Sequence, residues 1–107
     1  DEDKKMYSEQ LEIYSKILSE TIKILEKNKI DLIIIILPDQ YNCFYNKKHF
    51  LNNKLIQTLK LNKINYFDAY NAFLNDKNCD IKNFNRYGHF SLIGHKNMAN
   101  YLNKNLF

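Results

Sequence analysis

Ile30-Asp31-Leu32-Ile33-Ile34-Ile35-Ile36-Leu37 is the stretch on which the fold turns. It is a short, nearly continuous apolar run rich in β-branched residues, and Pro38, the only proline, stops it. Strand side chains alternate between faces, so a run without polar alternation predicts a strand covered on both faces, the parallel-sheet kind. Before it, Leu11, Tyr14, Leu18, Ile22 and Leu25 recur at helical spacing and predict a helix from about Met6 to Lys27. Ile13, Ile17 and Ile24 widen that stripe, as expected of a helix lying on a sheet. Lys27-Asn28-Lys29 closes the helix with cations at its C-terminal end and an asparagine suited to a left-handed turn.

After Pro38, Asp39 to Asn46 reads as a loop leaving the carboxyl end of the strand, the edge where open α/β sheets bind ligands. Asp39, Gln40 and Tyr41 are therefore candidate substrate contacts. A second helix is expected from Lys48 to about Leu61, with Leu51, Leu55, Ile56 and Leu59 inward, then a weaker strand Ile64–Asp68. Ala69 to Leu74 suggests a short helical turn and Asn75 to Asn85 a polar loop. Strands alternating with helices imply right-handed crossovers and a parallel sheet. Two parallel strands are too few to stand alone. Something is expected to cover the open edge: a missing N-terminal half, a partner chain or a homo-oligomer.

The chain has 107 residues, enough for one domain, with 45% hydrophobic residues and a formal charge of +4. Its lysines are scattered among acids and asparagines and read as a solvated surface, so no nucleic-acid face is expected. The asparagines are spread evenly and read as composition. No apolar run approaches the roughly 20 residues that cross a bilayer, so no transmembrane segment is expected. Cys43 and Cys79 either pair in an oxidising compartment or stay as thiols in a reducing one. No ligand spacing for a metal is present. The first residue is Asp1, which suggests that an earlier part of the protein precedes it.

The rare residues gather in one place. Both glycines, Gly88 and Gly94, and the only arginine, Arg86, fall in Arg86-Tyr87-Gly88-His89-Phe90-Ser91-Leu92-Ile93-Gly94-His95. Gly88 permits a sharp turn before His89. Ser91 is a good N-cap for a last helix from Leu92 to about Lys104. His89 thus sits on a loop two residues before a helix, a place where side chains are often held for chemistry; the plainer role is packing beside Phe90 or capping. Arg86 is a candidate for an anionic substrate.

The helix, the apolar strand ending in Leu37-Pro38, the second helix, the strand ending in Asp68 with Phe73 after it, and Gly88-His89-Phe90-Ser91 with Gly94, His95 and Ala99 together resemble the C-terminal half of an SGNH (GDSL-type) hydrolase. The resemblance implies a three-layer, flavodoxin-like parallel sheet, of which this chain holds the C-terminal α-β-α-β-α part. It implies a serine esterase or O-acyltransferase acting on acyl esters, acetyl esters of carbohydrates or small molecules above all, with no cofactor. In bacteria such enzymes often work on envelope polysaccharides, which favours an extracytoplasmic location. His89 would be the general base and acid, taking the serine proton and returning it to the leaving group. The Gly-Asp-Ser nucleophile block and the oxyanion-hole Gly and Asn blocks are absent, so the serine is expected from a missing N-terminal part. The family's usual acid position before the histidine holds Arg86 and Tyr87, which leaves Asn85, a backbone carbonyl or Asp80 to orient His89. The alternative is a non-catalytic α/β interaction or dimerisation module.

Overall fold

Local chemistry sets the helices of the computed structural model, which describes residues 2–45, 47–75 and 78–107. Helix α1 runs Glu2–Lys27, strand β1 Ile34–Ile36, α2 Gln40–Tyr45, α3 Phe50–Leu61 and β2 Tyr66–Asp68. A 3-10 turn, Tyr70–Phe73, then leads into a small antiparallel hairpin, β3 (Leu74–Asn75) with β4 (Asn78–Cys79). A second 3-10 turn, Ile81–Asn83, precedes α4, Leu92–Asn105. Of the loops expected from sequence, positions 46, 76 and 77 lie outside the described residues.

The expected three-layer, flavodoxin-like parallel sheet is not what forms. The chain is mostly helical, and its parallel sheet is one pair of three-residue strands. Ile34 N donates to Asn65 O (2.9 Å) and Ala69 N donates to Ile36 O (2.9 Å), so the two strands advance in the same direction. The apolar run therefore overstates its strand. Ile30 and Ile33 are exposed and unpaired with a neighbouring strand, because a strand needs a partner backbone and β2 supplies one only opposite Ile34–Ile36.

Two compact units result. The first comprises residues 1–34 and 50–66 and rests on α1 against α3. Leu18, Leu59 and Ile64 are its buried apolar residues, and Asn62 Nδ2 donates to Ser15 Oγ (3.0 Å). Both helices end in the same way. Lys29 (φ 56°) and Lys63 (φ 55°) take the left-handed conformation, and the amides of Ile30 and Ile64 return to Leu25 O and Leu59 O, each at 2.9 Å. This satisfies helix-end carbonyls as a Schellman-type stop does. The left-handed residue at the first helix end is thus Lys29 and not Asn28, whose Nδ2 instead donates back to Ile24 O (2.7 Å). Ile13, Ile17 and Ile24 do not widen a buried stripe. They face solvent.

The second unit, residues 35–49 and 67–107, has a closed core of Cys43, Ala69, Phe73, Phe84 and Met98, against which Phe67, Phe90, Tyr101 and Leu102 pack. A disulfide joins Cys43 of α2 to Cys79 of β4, with Cα atoms 4.8 Å apart. Phe73, Phe84 and Phe90 meet edge to face with centroids 4.9 to 5.6 Å apart, the arrangement their quadrupoles favour. No helix among the described residues is long and apolar enough to cross a membrane.

Candidate functional site

The site lies in the second unit, where the segment leaving β1 faces the loop before α4. Asp39 and Asn42 cap α2 reciprocally. Asp39 N donates to Asn42 Oδ1 (3.0 Å), and Asn42 N donates to Asp39 Oδ1 (2.7 Å). Asn42 is 2% exposed, and its Nδ2 donates to Lys47 O (3.3 Å). This paired cap, together with the disulfide at Cys43, makes a helix of Gln40–Tyr45 where a loop was expected.

The opposite wall is built on Asn85. Its Oδ1 accepts from Tyr87 N (2.9 Å) and His89 N (3.2 Å), and its backbone N donates to His89 O (2.8 Å). Gly88 N donates to Asn85 O (3.1 Å) at φ +84°, a conformation that glycine adopts without strain. Beyond the turn, Phe84 and Phe90 form an antiparallel bridge, so the loop closes on itself. The backbone of His89 is thus held by Asn85 at both its amide and its carbonyl, while its side chain stays exposed.

Leu37, Pro38 and Asp39 from the first wall and Gly88, His89 and Phe90 from the second line one shallow open cleft, joined by His95 from α4. The His95 and Phe90 rings meet edge to face, 5.6 Å between centroids. Gln40 reaches across to the loop. Its Nε2 donates to Asn85 O (3.5 Å), and its Oε1 is 3.1 Å from where a Cβ on Gly88 would be. Asp39 and His89 thus line one cleft, and Gln40 touches the loop that carries His89. Tyr41 turns to Tyr45 and His49, at 4.6 and 5.0 Å between centroids, and does not line the cleft. Arg86 stacks on its neighbour Tyr87, 4.6 Å from the ring centroid, and donates to its hydroxyl.

Other polar candidates have structural partners. Asp68 holds Lys48 Nζ (2.5 Å) and accepts from Tyr70 N (3.0 Å). Asp80 accepts from Lys82 N (3.0 Å) and caps the second 3-10 turn. The hydroxyl of Ser91 caps α4 by accepting from Gly94 N (3.1 Å) and donates to Lys82 O (2.7 Å). The remaining serines, Ser8, Ser15 and Ser19, lie on α1 in the first unit. Among the described residues no group of three or more His, Cys, Asp or Glu is placed to hold a metal ion.

Sequence reading missed Asn83. It is 2% exposed; its Nδ2 donates to Asp80 O (2.9 Å), its Oδ1 accepts from Asn97 Nδ2 (2.8 Å), and its carbonyl accepts from Ser91 N (2.8 Å). The Asn83 carbonyl also faces Gly94 so closely that a Cβ there would sit 2.0 Å away. Gly94 thus lets α4 approach the turn on which the His89 loop stands. Comparison with known protein families, characterised proteins and solved structures returns no match to this chain.

Proposed function

We propose that the cleft between Asp39 and His89 is the acid–base half of an ester-hydrolysis or acyl-transfer site, completed by a serine hydroxyl from outside these residues. The observation that carries this reading is an exposed imidazole on a backbone fixed by Asn85, sharing one cleft with a carboxylate. His89 takes the proton of the incoming hydroxyl as it attacks the acyl carbon, then returns it to the departing alkoxide. Asp39, whose carboxylate also caps α2 by accepting from Asn42 N, places a negative charge on the same cleft. The substrates are acyl esters, acetyl esters of carbohydrates or small molecules first among them. The disulfide favours an oxidising compartment for this work.

The test is labelling of the natural full-length protein with a serine-reactive fluorophosphonate. Labelling should fall roughly a thousandfold in His89→Ala with the fold unchanged. Asp39→Asn, which keeps a capping side chain, should lose about tenfold in rate. Absence of labelling in the folded full-length protein rejects the reading. A second reading, a non-catalytic interaction module, draws on the exposed isoleucines of α1 and expects that absence.

A further inference from the structure

On α1, Met6, Gln10, Ile13, Ile17, Glu20 and Ile24 follow one another at alternating steps of four and three residues, the seam of a two-stranded coiled coil. Among the described residues the seam stays largely open to solvent. Ile13, Ile17 and Ile24 are 59%, 58% and 64% exposed and Met6 46%, while Gln10 and Glu20 are also exposed. The helix packs on α3 through another face, the one that buries Leu18. Four of the six seam positions on this 26-residue helix are thus solvated apolar residues, with Gln10 and Glu20 between them.

We propose that this seam binds the same seam of a second copy of the chain, antiparallel, about a two-fold axis beside Ser15. The sequence is self-complementary only in that sense. Ile17 of one copy then lies on Ile13 of the other, and Ile24 on Met6, so apolar meets apolar at both ends and the centre. Gln10 lies opposite Glu20, where an amide donor meets a carboxylate. On the flanks Glu9 faces Lys23, which also holds Glu20 of its own helix at 3.0 Å. Lys16 meets its own copy at the axis, next to Glu12, which stands 3.8 Å from it in the same helix. A parallel pair in register would instead set Glu20 on Glu20 and Gln10 on Gln10, and the like charges oppose it. One face serves both copies, as a two-fold dimer requires. The pairing stands whatever chemistry His89 performs.

Sedimentation velocity of the full chain from about 5 µM to about 500 µM should show a reversible monomer–dimer equilibrium. Ile17→Glu should raise the dissociation constant at least about tenfold and leave the far-ultraviolet circular dichroism unchanged, because the side chain is exposed in the monomer. Met6→Cys protein mixed with Ile24→Cys protein should cross-link one to the other, and neither with itself. A monomer throughout the range, a dimer indifferent to Ile17→Glu, or self-cross-linking of Met6→Cys each overturns the proposal.

Discussion

In the first unit, α1 and α3 bury Leu18 and Leu59 and leave Ile13, Ile17 and Ile24 in solvent. In the second, Phe73, Phe84 and Met98 close around a disulfide, and Asn42 and Asn83 are buried with their hydrogen bonds made. The first joins its helices by apolar burial and one side-chain bond, Asn62 to Ser15, the second by a cross-link and by several directional bonds at buried amides. A candidate site needs the second kind of construction. The His89 loop keeps its shape because Asn85 and Gly88 fix its backbone, not because its side chain is buried.

The strongest attack on that contrast is reduction of Cys43–Cys79. It opens a loop of 36 residues in sequence and should lower stability by about 4 kcal/mol. Urea unfolding with and without reductant measures the loss. Hydrogen exchange by segment should quicken in residues 35–49 and 67–107 ahead of α1 and α3; equal quickening in both units would mean that they open together. Gly94→Ala should cost roughly 3 kcal/mol, since its Cβ meets the backbone carbonyl of Asn83 and the helix must shift to admit it. Thermal melting reads this, and an alanine tolerated within about 0.5 kcal/mol would mean that α4 moves freely against the turn. The smallest effect belongs to the first unit. Lys63→Gly relieves a left-handed lysine and should raise stability by roughly 0.5 kcal/mol, measured in the same melts.

What the sequence disclosed divides along similar lines. The last helix and its Ser91 cap were legible because capping is decided within four residues. So was the sharp turn at Gly88. The extent of β1 was not, since Ile30 and Ile33 are as apolar as Ile34 to Ile36 and only the partner strand distinguishes them. The outward face of α1 was misread for the same reason: isoleucine at helical spacing suits a sheet-covering face and a solvated seam equally. Asparagine hid the most. Evenly spread, it looked like composition, yet Asn42, Asn83 and Asn85 set the first turn of α2, the approach of α4 and the backbone of the His89 loop. Asn42 and Asn85 act through contacts near in sequence, Asn83 reaches forward to Ser91 and Asn97, and the spacing Asp39-x-x-Asn42 was the one local sign available.

The two left-handed lysines carry a consequence for how this chain is ordered. Asn28-Lys29-Ile30 and Asn62-Lys63-Ile64 are one three-letter phrase written twice, each at the exit of a helix that feeds a strand. Equal exits send the following backbone off at equal angles. One kind of stop thus opens two connections of different length, four residues on from Ile30 to β1 and two on from Ile64 to β2. The architecture carries a duplication of form that the surrounding letters, taken as a whole, do not repeat.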